Sequence, residues 1–132
     1  MDQKPHAVTV FAKTPKGMVL TVRDHNKPAP VYRKLPGGKG ENGESPEETA
    51  LREFKEETGI KGKPKNLLEL AKEDRRSHDF YFFLLEIPSL DGLRSRGDEG
   101  EEVDAPFIES LRGCDDLFPP HRRLIEEFGL FD

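Results

Sequence analysis

Tryptophan is absent, and cysteine occurs once, at Cys114. A lone cysteine cannot close an internal disulfide, so packing and hydrogen bonds must hold the fold, and a reducing, cytoplasmic setting is expected. Apolar residues are scarce too: 33% of the 132 residues are hydrophobic against 36% charged. The core must therefore be economical, and the nine phenylalanines are its obvious filling. No apolar run approaches the roughly 20 residues of a spanning helix, and no stretch reads as a signal peptide, so no membrane partner is expected. His6, His25 and His121 show no ligand spacing, which argues against a zinc site. Positive charge is in deficit. A formal charge of −5 argues against a nucleic-acid partner, which would want a basic face. It leaves anionic small molecules open, because a bound cation inverts the local field. With no internal repeat and no long low-complexity tract, residues 1–132 read as one domain with one core.

His6–Lys13 alternates Val8, Val10 and Ala12 on one side, a strand pattern; residues 1–5 before it are polar and expected to fray. Thr14-Pro15-Lys16-Gly17 is a turn, and Met18–Arg23 a second strand, so an early hairpin is expected. A proline-bearing loop, Asp24–Pro30, precedes a short extended piece, Val31–Leu35. Leu67–Lys72 reads as a strand, and Asp79–Ile87 as a stronger one whose continuous apolar run suggests burial on both faces. Glu101–Ile108 reads as a further strand ending near Pro106, and Pro119-Pro120 opens a last helix with Leu124, Ile125 and Phe128 inward. Strands and helices are mixed: the fold class is α/β, mixed α+β.

Between them lies Gly38–Ile60, GKGENGESPEETALREFKEETGI. Ser45 can cap a helix, Pro46 suits its first position, and Glu48 completes a capping box. Ala50, Leu51 and Phe54 make the buried stripe, and Gly59 can end the helix in the left-handed conformation. The carboxylates are badly placed for stability. Glu53 and Glu57 repel at i,i+4, and with Glu56 they crowd the last turns, where the helix dipole favours cations. A hard divalent cation, Mg²⁺ or Mn²⁺, would relieve that repulsion. A solvated charged face, with Arg52 and Lys55 as counter-charges, is the blander explanation of the hexapeptide alone.

The full spacing is more specific: Gly38, five residues, Glu44, seven residues, Arg52-Glu53, Phe54, one residue, Glu56-Glu57, one residue, Gly59, Ile60. By independent residue frequencies such a match is about a one in 10⁵ accident. The pattern resembles the signature of the Nudix hydrolases, and Leu35-Pro36-Gly37 resembles the family's lead-in. The resemblance implies a mixed sheet in an α/β/α sandwich. It also implies hydrolysis of a P–O–P bond in a nucleoside diphosphate linked to another group, with Mg²⁺ or Mn²⁺. By resemblance Glu53, Glu56 and Glu57 hold the metal, joined by the carbonyl of Gly37, whose missing side chain permits close approach. Arg52 orients a glutamate through a charge-assisted pair, and Glu44 supports the loop or holds outer-shell water. The general base is either Glu53 or a downstream glutamate. Glu102-Val103-Asp104-Ala105-Pro106-Phe107 resembles the family's segment and points to Glu102, also a metal ligand, with Glu101 and Glu99 as rivals. Many relatives carry tryptophan where Arg33 and Ala105 stand, so an indole platform for a base is not expected. Arg33 and Lys39 are candidates for phosphate contact.

The expected partner is a small nucleotide: a non-standard triphosphate, a dinucleoside polyphosphate or a nucleotide sugar, acted on by a monomer or homodimer. Two other functions compete. Pyrophosphate removal from an RNA 5′ end is disfavoured by the acidic balance. A nucleotide-sensing module without catalysis is disfavoured by the intact set Glu44, Glu53, Glu56 and Glu57.

Overall fold

The computed structural model describes residues 4–132. Six strands and three helices run in the order β1 (His6–Lys13), β2 (Thr21–Arg23), β3 (Gly37–Lys39), α1 (Pro46–Thr58), β4 (Leu67–Arg75), β5 (His78–Glu86), β6 (Glu102–Asp104), α2 (Ile108–Arg112), α3 (Pro119–Glu127). The main sheet has the order β3-β1-β5-β4, with β1 and β5 parallel and the other neighbours antiparallel. A parallel pair needs a long crossover, and the connection carrying α1 supplies it.

Each face of this sheet is buried, which is why β5 is apolar from Phe80 to Leu85. Phe83 and Leu85 join Val8, Val10, Ala12, Ala50 and Phe54 in a core under α1. Phe80 and Phe82, on the alternate face, join Phe11, Leu111, Leu124 and Ile125 under α2 and α3. The result is a mixed α+β sandwich with helices on both sides of a mixed sheet. Phenylalanine is its main filler: Phe11, Phe54, Phe82 and Phe83 are all fully buried. Among the described residues no helix is long and apolar enough to cross a membrane.

Three expectations need correction. Met18–Arg23 meets β1 only at the turn, through the Lys13–Val19 bridge and the Leu20 N–H to the Ala12 carbonyl (3.1 Å). Both edges of β1 are already taken by β3 and β5, so β2 swings away to pair with β6. The strand expected over Glu101–Ile108 stops at Asp104, since Pro106 has no N–H to continue a ladder; its carbonyl accepts from Val19 instead (2.8 Å). Fraying was expected at residues 1–5. The first three lie outside the described residues, but Lys4 pairs with Asp74 (2.6 Å) and Asp79 (3.0 Å), and the Pro5 carbonyl accepts from the Asp79 N–H.

Candidate active site

The helix α1 forms as its local rules demand. The Ser45 hydroxyl accepts from the Glu48 N–H (3.1 Å), and the Glu48 carboxylate accepts from the Ser45 N–H (3.0 Å), closing the capping box. Gly59 ends the helix at φ +85°. The anionic last turns are compensated from outside. Arg94 donates from its guanidinium to the carbonyls of Lys55 (3.1 Å) and Glu56 (3.2 Å), and from its backbone to that of Thr58 (2.9 Å). A cation and fixed donors thus sit where the dipole asks for them.

Strand β3 brings its outer edge to this helix. Val10 N–H to Pro36 carbonyl and Gly40 N–H to His6 carbonyl, both 2.8 Å, bind alternate peptide groups of the strand toward β1. The remaining groups face away. The Gly37 N–H donates to Glu57 Oε2 (2.9 Å), and the Lys39 carbonyl accepts from Arg52 (3.0 Å). A residue's N–H and C=O leave a strand on the same side, so the Gly37 carbonyl also turns toward α1. Gly38 is required sterically: a Cβ there would lie 2.4 Å from Cδ of Glu53.

Arg52 organises the carboxylates. Its Nε donates to Glu44 (2.7 Å), one terminal nitrogen to Glu53 (3.0 Å) and Glu56 (3.2 Å), and the other to Glu44 (3.1 Å) and the Lys39 carbonyl. Arg52 thus bonds three carboxylates and one peptide carbonyl. Arg52 holds the Glu44 carboxyl down at about 2, helped by Thr49 and the Glu41 N–H against its burial. Burial acts the other way deeper in. It raises Glu53 despite Arg52, and it pushes Glu57 up to about 9 despite the Gly37 N–H, with Glu53 and Glu101 adding repulsion. Among the described residues no three His, Cys, Asp or Glu side chains already converge as a metal-binding group. Their chemistry nonetheless fits a hard divalent cation: carboxylate oxygens, a peptide carbonyl, and a half-buried acid, Glu57, that lacks a countercharge.

The downstream segment brings in Glu101 rather than Glu102. Strand β6 alternates, with Glu101 and Val103 buried and Glu102 and Asp104 exposed. Val103 belongs to the core under α1, so its face carries Glu101 inward, beside Glu57. Gly97 makes the room, since a Cβ there would lie 2.2 Å from Glu101 Oε2 and 2.8 Å from the Glu57 carbonyl. Glu102 points out and meets His25 at 2.8 Å. A period of two read from Val103 would have shown this in the sequence. Burial raises the Glu101 carboxyl as well.

Glu53, Glu56, Glu57 and Glu101 line an open cleft of about 1210 Å³, together with Asp24, Asp98 and Glu99. Lys39 lines it too, whereas Arg33 does not. Arg33 turns away to Asp104 (3.2 Å) and Thr21 (3.1 Å), with Asp116 at 3.8 Å and Arg23 on that same carboxylate. It ties the β2–β6 pair to the segment before α3. Aromatic and basic groups line the same cleft. Arg75 lies 3.9 Å over the Phe80 ring, held by Glu73 (2.8 Å), and Lys34 lies 4.5 Å over Phe118. His121 stands edge-on to Phe118 and takes the Leu35 N–H at Nδ1 (3.0 Å); burial drives it down to about 4, so it is neutral.

Comparison with known proteins agrees with this arrangement. The NUDIX domain family model matches residues 3–128. The chain belongs to the Nudix hydrolase family. An ADP-ribose pyrophosphatase of Methanocaldococcus jannaschii is 33% identical to this Nudix chain over 114 residues, 83% of the chain and 64% of that protein. An ADP-ribose pyrophosphatase of Bacillus subtilis is 47% identical over 60 residues, 45% of the chain and 32% of that protein. The Nudix chain thus spans from about a third to under two thirds of the length of these two curated relatives. A solved MutT structure, from a study of the Aliivibrio salmonicida and Vibrio cholerae proteins, superposes with a TM-score of 0.74 at 25% identity, covering 95% of this chain and 96% of its own.

Proposed function

We propose that this Nudix chain is a divalent-metal-dependent pyrophosphohydrolase of small nucleotides, cleaving a P–O–P bond in a nucleoside diphosphate linked to another moiety. The observation that carries the reading is Glu57, a half-buried carboxyl that accepts from the outward Gly37 N–H at the wall of the cleft, with Glu53 and Glu101 as its neighbours. Glu53, Glu56, Glu57 and the Gly37 carbonyl would hold Mg²⁺ or Mn²⁺. When bound, the cation supplies neutralisation of phosphate oxygens and a more acidic water. Arg52 keeps Glu53 and Glu56 oriented while the substrate enters. Glu101 takes the proton of the attacking water, a task suited to an acid that burial has raised. Lys39, on the outer edge of β3, meets phosphate. In the same cleft, the Arg75 guanidinium on Phe80 offers a flat cationic face on which a base can stack. ADP-ribose heads the substrates to test, since two relatives bear that activity in their names.

The test is phosphate-coupled turnover over ADP-ribose, ordinary and oxidised triphosphates and dinucleoside polyphosphates, with and without Mg²⁺ and with added pyrophosphatase. Turnover that needs Mg²⁺ and stops on chelation is expected. Tight binding of one nucleotide without turnover would make the chain a sensing module. Turnover confined to an RNA 5′ end, with salt-sensitive binding, would move the substrate to RNA.

Gly38→Ala follows from the same geometry. The new methyl would meet the Glu53 carboxylate, which must leave its place. Displacing a reacting group by ~1 Å costs about 10²-fold, so kcat should fall by that order. The melting temperature should hardly move, because the clash is with the end of a side chain. Unchanged kcat would show that Glu53 works from elsewhere.

A further inference from the structure

We infer that His6 and Thr49 are positioning residues for the metal-site carboxylates, acting through Glu44 and Arg52. The inference rests on the pyrophosphohydrolase reading above and adds residues outside the Gly-Glu-Arg-Glu pattern. Thr49 is fully buried on α1. A buried hydroxyl needs partners, and in a helix it usually donates to the carbonyl four residues back. That carbonyl, of Ser45, lies at 3.1 Å, but the Glu44 carboxylate lies at 2.6 Å. The shorter, charge-assisted bond takes the proton. The hydroxyl oxygen must then accept from His6, whose Nε2 stands 2.7 Å away, and this fixes the tautomer with hydrogen on Nε2.

The chain of bonds therefore has one direction: His6 to Thr49, Thr49 to Glu44, with Arg52 gripping Glu44 from the other side and Glu53 and Glu56 beyond. Its entrance is shaped for the ring. His6 is buried on β1, Tyr81 meets it edge-on at a centroid distance of 6.2 Å, and a Cβ on Gly40 would fall 2.1 Å from Nε2. Glu44 accepts from Thr49, the Glu41 N–H and both sides of the Arg52 fork, so its carboxylate is fixed in plane and angle. Removing the Thr49 hydroxyl would take away the shortest of the three bonds to Glu44 Oε1 and loosen the seat of the Arg52 fork. The carboxylates it holds would loosen with it. Outer partners of this kind typically matter 10–100-fold in metal affinity or activity.

The experiment measures Mn²⁺ binding to the full chain without substrate, from the loss of the free-ion EPR signal, together with kcat and KM at saturating Mg²⁺. Thr49→Val keeps the shape and loses the hydroxyl; Thr49→Ser keeps the hydroxyl. Thr49→Val is expected to weaken Mn²⁺ binding about 10-fold and lower kcat with little change in KM, and Thr49→Ser to stay within about 3-fold of wild type. In a Glu44→Gln background, Thr49→Val should add almost nothing, since both act along one path. Wild-type Mn²⁺ affinity in Thr49→Val overturns the inference, and so does a loss that the serine does not rescue. Should Thr49→Val not fold, His6→Phe at the head of the path must show the weaker Mn²⁺ binding, and wild-type affinity there overturns the inference too. A wild-type chain that neither binds Mn²⁺ nor turns over any nucleotide brings down the pyrophosphohydrolase reading, and this inference with it. Binding and turnover in wild type with unchanged variants bring down this inference alone.

Discussion

Glu57→Gln should lower kcat by about 10³-fold or more while leaving the fold intact. The activity loss follows from removing a charged ligand, whose share of transition-state stabilisation is several kcal/mol at ~1.4 kcal/mol per factor of ten. The fold survives because glutamine keeps an acceptor for the Gly37 N–H and, like the protonated carboxyl, adds no charge to a crowded group. The stability effect has a sign and a pH window. In the metal-free protein the Glu57 carboxyl titrates at about 9 against an ordinary 4.5, with burial as the main cause. The folded state therefore binds this proton more tightly than the unfolded chain. Its stabilising effect is complete below pH 4.5 and is lost as pH rises toward 9, at no more than ~1.4 kcal/mol per pH unit. Glutamine does not titrate. Metal-free thermal melts from pH 5 to pH 9 should show Glu57→Gln pulling above wild type as pH rises, and Mg²⁺ should close the gap by stabilising wild type alone. A variant that melts lower than wild type at pH 8 without metal would mean that Glu57 is a structural residue.

The parts of this site governed by neighbours in sequence were legible. The cap at Ser45, the turn at Gly59 and the shared face of Glu53 and Glu57 all depend on spacings of three or four residues, and each stands where those spacings put it. The alternation of Val8, Val10 and Ala12 likewise gave β1 its buried side. What depended on distant partners was not legible. Arg33 looked like a free cation beside the phosphate loop, but Asp104 and Asp116, far along the chain, claim it. Strand β2 was assigned to the wrong neighbour because nothing near it reveals that both edges of β1 are occupied. Glu101 and Glu102 were separated only by the face that a three-residue strand presents, and a one-residue change of register exchanges them. The glycines at 38 and 97 each clear space for a carboxylate, of Glu53 and Glu101, which their neighbours in sequence do not reveal.

Phe54→Ala is expected to destabilise by ~3–5 kcal/mol, the range for removing a large aromatic from a close-packed core. Phe54 is fully buried among Val8, Val10, Ala50 and Phe83, and it is the main apolar anchor of α1 on the sheet. For a chain of this size each kcal/mol moves the melting temperature by roughly 3–5 °C, so a fall of about 10–20 °C is expected in a thermal melt. A near-neutral melt would mean that α1 presents a different face to the sheet. The comparison with Phe82→Ala separates stability from function. Phe82 is equally buried, but it lies in the core under α2 and α3. Both variants should melt low. Only Phe54→Ala should also lose kcat far below its melting point, because Glu53, Glu56 and Glu57 ride on the helix that Phe54 seats. Equal kcat in the two variants would show that Arg52, Gly37 and the Arg94 cap hold α1 in register without the aromatic ring.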